Sequence, residues 1–262
     1  MNIKIYQIDA FASQLFKGNP AAVCPLSEWL PDEKMRLIAA ENNLSETAFF
    51  VQKNGQVELR WFTPKIEVNL CGHATLATAY VFFEEMGYPE DVIRFQTKSG
   101  ELTVEKRNHM YMLNFPAKHA EPTSAYPQQM LDALKCNPVE ILKHTNDFIV
   151  VVRTQQEVAQ LSPDHTLLKN SGIRAVGVTA VGDEVDFVSR FFAPGSGVDE
   201  DPVTGSVHTM LIPYWAKKLN KEVFYAKQLS ERGGTLKCKL IGDRVEIGGA
   251  AKLFLKGEIY LH

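Results

Sequence analysis

Glu46 is the residue whose surroundings best suit proton transfer. A helical pattern over 35–40 precedes it, and an apolar, strand-like run over 47–51 follows it. A carboxylate at the edge of a buried strand loses hydration, which raises its pKa toward the range in which it can exchange protons. The same position also suits a solvated glutamate in a turn or the partner of a nearby lysine.

His73 follows Gly72 at the predicted start of an apolar helix. The first N–H groups of a helix lack partners within it and carry the positive end of its dipole. The backbone at Gly72, His73 and Ala74 is therefore suited to bind a carboxylate or a developing oxyanion. A histidine at this position tends to be neutral and able to polarise a substrate oxygen. The alternative is a histidine that only caps the helix.

A second predicted helix start has the same character. Thr204, Gly205 and Ser206 precede an apolar run, and Asp201 stands shortly before them. Asp201 could hold a substrate hydroxyl, an amine or the His73 ring, while the helix start again offers N–H groups. The alternative is an ordinary Ser or Thr N-cap with an aspartate in the preceding turn.

Cys71 suggests a different chemistry. A thiol just before a glycine at a helix start can have a lowered pKa and act as a base. A symmetric racemase with two thiols needs a second cysteine, but the matching position holds Thr204. We therefore expect a small buried cysteine here and keep a racemase or epimerase that uses Cys71 as an alternative.

The elements that must position these residues occur twice. Arg-Trp-Phe-Thr-Pro at 60–64 matches Arg-Phe-Phe-Ala-Pro at 190–194, and an apolar helix follows each, over 74–83 and 207–216. The offset is 194 − 64 = 130 at the prolines and 206 − 73 = 133 after the turns. Both helices are apolar on nearly every face, so each should be buried on all sides.

This repeat predicts an α+β fold of two pseudo-symmetric lobes, each a rolled, mostly antiparallel sheet around a central helix. The proline-rich stretch 114–127 marks the boundary. We place the N-terminal lobe at 1–118 and the C-terminal lobe at 119–251, and expect segment 252–262 to return to the first lobe. If the lobes face each other, a cleft with one helix start on each wall results.

Composition excludes several classes of function. The charge balance, 28 − 31 = −3, disfavours nucleic acid as a partner. Four widely spaced cysteines favour a reduced, cytoplasmic protein over a zinc site. We see no signal peptide, no run near the roughly 20 residues of a membrane span, and no motif for a cofactor. A metal hydrolase built on His73, His208 and Asp201 is an alternative that metal analysis tests.

Six short motifs, in order along the chain, resemble those of the PhzF-like phenazine-biosynthesis family. They are Asp-Ala-Phe at 9–11, Gly-Asn-Pro-Ala-Ala-Val at 18–23, Asn-Leu-Ser-Glu-Thr-Ala-Phe at 43–49, Arg-Trp-Phe-Thr-Pro at 60–64, Cys-Gly-His-Ala-Thr at 71–75 and Asp-Pro-Val-Thr-Gly-Ser at 201–206. Each motif is weak alone, but six in sequence are specific, and the resemblance runs nearly from end to end.

The resemblance implies a diaminopimelate-epimerase-like fold, a cofactor-free isomerase and, as is common in the family, a homodimer. By position, the family's proton-shuttling glutamate corresponds to Glu46 and its histidine to His73. Its aspartate and serine of the second lobe correspond to Asp201 and Ser206. In the best-known member, a proton moves across a cyclohexadiene amino acid, trans-2,3-dihydro-3-hydroxyanthranilate.

We therefore predict a cofactor-independent isomerase that moves a proton on a small carboxylated metabolite, cyclic or amino-acid-like. Glu46 takes and returns the proton, His73 and Asp201 orient the substrate, and the two helix starts bind its carboxylate. The predicted substrate-binding residues are Gly72, Ala74, Thr204 and Gly205. The alternative from another class is a small-molecule binding protein that kept the fold and lost the chemistry.

Overall fold

The computed structural model describes residues 1–261. Its helices are α1 (Asp32–Asn42), α2 (Gly72–Tyr80), α3 (Gln128–Leu134), α4 (Gln155–Ala159), α5 (His165–Asn170) and α6 (Gly205–Leu219), with a π-helical turn over Val81–Glu85 and a 3-10 turn over Pro194–Ser196. Its strands are β1 (Asn2–Ala10), β2 (Asn19–Leu26), β3 (Glu46–Lys53), β4 (Gln56–Phe62), β5 (Glu67–Val68), β6 (Val92–Thr97), β7 (Gly100–Arg107), β8 (Met110–Pro116), β9 (Glu121–Pro122), β10 (Glu140–His144), β11 (Asp147–Val151), β12 (Ala175–Val181), β13 (Phe187–Phe192), β14 (Val223–Gln228), β15 (Gly234–Ile241), β16 (Arg244–Gly249) and β17 (Ala251–Tyr260).

The described chain forms two compact units. The first comprises Met1–Phe115 and the segment from Gly248 onward, and the second comprises Pro116–Ile247. Each unit is a mostly antiparallel sheet with one buried helix, so the predicted α+β class is confirmed. None of the helices within residues 1–261 is long and apolar enough to cross a membrane.

In the first unit, helix α2 is the buried element. The sheet pairs β17 with β1, β1 with β2, β3 with β4, β6 with β7 and β7 with β8 in antiparallel fashion, whereas β2–β3 and β4–β6 are parallel. Helix α2 contacts β1, β2, β3, β7 and β17. All seven residues from His73 to Ala79 are buried, as the apolar sequence of this helix predicts.

The second unit repeats this plan around α6. Strands β11 and β12 are parallel, β12 and β13 antiparallel, β13 and β14 parallel, and β14 and β15 antiparallel. The Trp215 indole N–H donates to Thr179 Oγ1 on β12 at 3.1 Å, and the Trp215 ring stacks on Phe187 of β13. Gly177 of β12 leaves room for this helix, because a Cβ there would lie 2.7 Å from Val207 Cγ2.

Helix α6 continues through Pro213 without leaving a buried carbonyl unpaired. A proline has no N–H, so the carbonyl four residues earlier, that of Thr209, loses its usual partner. The backbone N–H of Lys118 donates to this oxygen at 3.0 Å. The break in the helical hydrogen bonds is therefore repaired from outside the helix.

Candidate active site

Two parallel strands and one helix bring the first group of polar side chains together. Strand β2 begins at Asn19 and β3 begins at Glu46, and their parallel register pairs Ala21 with Glu46. Parallel strands begin at the same edge of a sheet. Helix α2, which packs against both strands, starts at Gly72 with its N-terminal end at this edge. The side chains of Asn19, Glu46 and His73 meet there as a result.

His73 and Glu46 form the central pair of this group. Glu46 Oε2 lies 3.2 Å from His73 Nε2, and the side chains are only 17% and 7% exposed. At this exposure Glu46 is not a solvated turn residue. It is a largely buried carboxylate held against an imidazole.

The second ring nitrogen of His73 faces two further side chains. Asn19 Nδ2 lies 3.2 Å from His73 Nδ1, and Cys71 Sγ lies 3.5 Å from the same nitrogen. Asn19 is fully buried and Cys71 is nearly so. Side chains thus bond to the ring at Nδ1, whereas at Nε2 the Glu46 carboxylate lies close without a hydrogen bond.

The His73 ring is neutral at ordinary pH. Burial disfavours its charged form and lowers its pKa to about 3. The position of His73 at a helix N-terminus also predicts a neutral ring. Burial supplies the neutrality instead, and the neutral ring carries a single proton.

Gly18 makes the approach of Asn19 possible. Its backbone φ is +68°, a conformation that glycine adopts readily and other residues rarely do. A Cβ at this position would lie 2.1 Å from the carbonyl oxygen of Ala10. Any other residue would push the start of β2 away from β1, and Asn19 away from the imidazole.

In the second unit, Asp201 and Thr204 form a locked turn at the start of α6. The Thr204 hydroxyl donates to Asp201 Oδ2. Gln228, at the end of β14, clamps the same turn: its Nε2 donates to the Asp201 carbonyl at 2.6 Å, and its Oε1 accepts from the Thr204 N–H at 2.9 Å. Gln228 is 1% exposed, so this clamp is a buried, fully bonded part of the turn.

Ser206 and His208 lie in the first two turns of α6. Ser206 is exposed, and its carbonyl accepts from the Thr209 hydroxyl at 2.6 Å. His208 is fully buried, and its Nδ1 lies 2.7 Å from the Thr204 carbonyl. His208 therefore supports the helix start from inside, whereas Ser206 presents its side chain to solvent.

The two central helices begin in the same way. Cys71 is the N-cap residue of α2 and Thr204 that of α6, and neither side chain makes a capping hydrogen bond. The first-turn N–H groups at Gly72 and Gly205 are thus left without a side-chain cap, which is the condition for binding an anion. The alternative that Thr204 is an ordinary cap is wrong, because its hydroxyl binds Asp201 instead.

Among residues 1–261, the one group of side chains with the donor atoms and spacing for a metal ion is that of Glu46, Cys71 and His73, within 4.8 Å of one another. The thiol lies beside one ring nitrogen and the carboxylate beside the other. The imidazole therefore stands between them. The expectation that the site uses no metal stays a prediction.

Asn19 and Gln228 were not among the predicted site residues. The sequence feature that could have identified Asn19 is its position inside the Gly-Asn-Pro motif. No sequence feature identifies Gln228, because its role depends on contact with Thr204, which lies 24 positions earlier in the chain. Both residues act through buried side-chain amides, which a sequence does not distinguish from exposed ones.

Comparison with known proteins identifies the family. The model of the PhzC-PhzF family, described as phenazine biosynthesis-like protein, matches residues 8–257. The chain belongs to the phenazine biosynthesis-like (PhzC-PhzF) family. The resemblance stated from the six motifs is therefore confirmed.

Relatives in this family match over the full chain. An uncharacterized isomerase of Pseudomonas aeruginosa is 51% identical over 261 residues and covers 100% of both chains. A PhzF-family crystal structure from Enterococcus faecalis has a TM-score of 0.96 at 48% identity, again with 100% of both chains covered. A predicted epimerase of P. aeruginosa has a TM-score of 0.76 at 19% identity, covers 99% of this chain and 100% of its own, and shares the fold. Family membership and the 51% identical isomerase assign the chain to the isomerase class.

Proposed function

We propose that this PhzC-PhzF family protein is a cofactor-independent isomerase that moves a proton on a small carboxylated metabolite, cyclic or amino-acid-like. Glu46 removes a proton from a carbon next to a π system or a carboxylate. The electron pair of the broken C–H bond enters that π system, and the same carboxyl group then returns the proton to another carbon. Charge and atoms balance without an added reactant.

The observation that carries this proposal is the buried pair of Glu46 and His73 at the start of α2. A carboxylate that is 17% exposed has lost most of its water, which favours its role as a proton carrier at neutral pH. The imidazole beside it is neutral, so it does not neutralise the carboxylate. The uncapped first turn of α2, at Gly72 and Ala74, supplies N–H groups for a substrate carboxylate or oxyanion.

In the second unit we assign supporting roles to Asp201, Thr204, Gly205 and Ser206. The exposed Ser206 and the uncapped start of α6 suit a polar substrate group. The bond from Thr204 fixes the Asp201 side chain. These roles stay predictions. A homodimer of the 29.4 kDa chain is also a prediction, and light scattering of the purified protein tests it by measuring the mass in solution.

The thiol alternative has one observation in its favour, the 3.5 Å approach of Cys71 to the His73 ring. A two-thiol mechanism also needs a thiol at the start of α6, where the N-cap is Thr204. The alternative predicts loss of turnover in a Cys71→Ala variant. Full activity in Cys71→Ala would exclude the thiol mechanism.

The test is deuterium entry into substrate, followed by NMR in deuterated water. We would offer the dihydro-hydroxyanthranilate first and then a panel of carboxylated cyclic and amino-acid metabolites. The wild-type protein should place deuterium on a ring or α carbon. Glu46→Gln keeps the shape, removes the proton carrier and should lower the rate at least ~100-fold.

The matched control is Glu28→Gln, because Glu28 is an exposed glutamate in the same unit. Its rate should equal that of the wild type. Full activity in Glu46→Gln would remove Glu46 from the mechanism. Binding of a panel member without any deuterium entry would favour the binding-protein alternative.

A further inference from the structure

We infer that the arginine of the repeated motif is a positioning residue in each unit: Arg60 and Arg190 each bind a glutamate on the loop that enters the central helix, and thereby fix where that helix starts. The effect on turnover and on KM rests on the proposed function, in which the helix starts bind the substrate. The effect on the backbone does not, and it is measured without a substrate.

The two ion pairs have the same geometry. In the first, Arg60 Nε and Nη2 donate to the two carboxylate oxygens of Glu67, each at 2.8 Å. In the second, Arg190 Nε and Nη2 donate to the two carboxylate oxygens of Glu200, each at 2.7 Å. An arginine that bonds a carboxylate through two parallel N–H groups fixes its direction as well as its distance.

Both glutamates stand at the same distance from a central helix. The separation is 72 − 67 = 5 residues from Glu67 to Gly72 and 205 − 200 = 5 residues from Glu200 to Gly205. The offset between the copies is 190 − 60 = 130 for the arginines and 200 − 67 = 133 for the glutamates. The second loop therefore holds three additional residues between its arginine and its glutamate.

These three residues are accommodated at the tip of a hairpin. In the first unit, Trp61 pairs with Val68. The equivalent contact in the second unit is the Asp201 N–H, which donates to the Phe191 carbonyl at 3.0 Å. The 3-10 turn Pro194–Ser196 lies beyond this contact, at the tip of the loop. The insertion therefore leaves the ion pair and its spacing to the helix unchanged.

Each arginine also reaches a third segment of its own unit. Arg60 Nη2 lies 2.9 Å from Asp32 Oδ1 at the start of α1. Arg190 Nη1 donates to the Leu161 carbonyl, just after α4, at 2.7 Å. The loop before each central helix is thus fixed both to the preceding strand and to a neighbouring segment.

The burial of these pairs points to position rather than to stability. The four side chains are between 12% and 22% exposed. Removing charges from water is costly, and replacing a buried ion pair with apolar side chains is often neutral or stabilising. A bidentate pair that recurs at the same place in both units is therefore best explained by the geometry that it imposes on the loop.

The two ion pairs should act on different kinetic constants. The start of α2 carries His73, which lies beside the proposed proton carrier Glu46. Loss of the first pair should therefore misplace the reacting groups and lower kcat. The start of α6 offers N–H groups and the exposed Ser206, without an acid on the neighbouring strand. Loss of the second pair should therefore weaken substrate binding and raise KM.

Amide hydrogen exchange at Asp201, followed by NMR of the ¹⁵N-labelled protein, tests the backbone effect. Arg190→Lys keeps the charge and loses the bidentate contact. Exchange at Asp201 should become roughly 10-fold faster, the factor that one charge-assisted hydrogen bond contributes. Glu200→Gln keeps the side-chain shape and is the second variant, with the same expected result. Arg153→Lys changes an exposed arginine of the same unit and should leave this exchange unchanged.

The kinetic test uses the panel member into which the wild-type protein places deuterium. Arg60→Lys should lower kcat roughly 10–100-fold, because a misplacement of about 1 Å can cost ~100-fold. Arg190→Lys should raise KM roughly 10-fold, within the range that a helix start contributes to anion binding, and leave kcat nearly unchanged. Arg94→Lys is the matched control, because Arg94 and Glu101 are also seven residues apart but are exposed. It should change neither constant.

The outcomes separate the inference from the proposed function. Unchanged exchange at Asp201 in both Arg190→Lys and Glu200→Gln would overturn the inference without any activity measurement. The same loss of kcat in Arg60→Lys and Arg190→Lys, with KM unchanged, would indicate general loosening of the fold and would also overturn it. A wild-type protein that exchanges no deuterium into any panel member would contradict the proposed function. Faster exchange at Asp201 would then still support the role of the second ion pair.

Discussion

Lowering the pH should destabilise the second unit through His208. This ring is fully buried, and burial lowers its pKa to about 4, while its bond to the Thr204 carbonyl opposes that shift only in part. Nδ1 donates to that carbonyl, and Nε2 has no hydrogen-bond partner within residues 1–261. A second proton would therefore sit on a buried nitrogen with nothing to accept it.

The direction follows from which state binds the proton. The unfolded chain protonates His208 near pH 6.5, and the folded protein does so only near 4. The contribution of neutral His208 to the free energy of unfolding is therefore fully present above pH 6.5, and it is lost as the pH falls toward 4. At pH 5 the pH is about 1.5 units below the pKa of His208 in the unfolded state. Between pH 8 and pH 5, protonation of the unfolded chain therefore lowers the free energy of unfolding by about 2 kcal/mol.

Urea unfolding at pH 8 and pH 5 measures this effect. His208→Asn keeps a donor for the Thr204 carbonyl and cannot take up a proton, so its loss of stability over this range should be smaller than that of the wild type by about 2 kcal/mol. His119→Asn removes an exposed histidine and should match the wild type. An equal pH dependence in His208→Asn and wild type would refute the reasoning.

Two further predictions concern the local structure around the site. Gly18→Ala should destabilise the protein by roughly 2 kcal/mol more than Gly55→Ala in urea unfolding, because both glycines have a positive φ but a Cβ meets a backbone oxygen only at Gly18. A similar loss in both variants would show that the turn relaxes freely. Gln228→Ala should lower stability by about 1–3 kcal/mol and speed amide exchange at Thr204, since the buried N–H loses its acceptor. Unchanged exchange would mean that the turn holds without the clamp.

The central helices were predictable because of their composition. A run such as 74–83 that is apolar on every face can only be buried on every face, and its recurrence over 207–216 required two such environments. The asymmetry of the acid was also predictable. Glu46 is the first residue of β3, and the first residue of the corresponding strand β12 is Ala175.

The contacts of His73 were not predictable from the sequence. Asn19 lies 54 positions away, and it reaches the imidazole only because β2 and β3 run parallel and start together beside α2. Gln228 depends in the same way on the pairing of β13 with β14, which brings the end of β14 to the turn at 201–204. Hydrogen-bonded amides of this kind leave no periodic pattern, because their effect depends on a single distance rather than on a buried face.

The duplication bears on the proposal that a single carboxylate carries the chemistry. Both units provide a buried helix whose N-cap side chain makes no capping hydrogen bond. Only the first unit adds an acid at the start of the neighbouring strand, and the second has Ala175 there. If Glu46 is the acid and base, the proton must leave and return through the same group. The two substrate carbons must then face that group from the same side, so a shift of a proton along one face of the substrate is the reaction that this asymmetry favours, rather than inversion between two opposed bases.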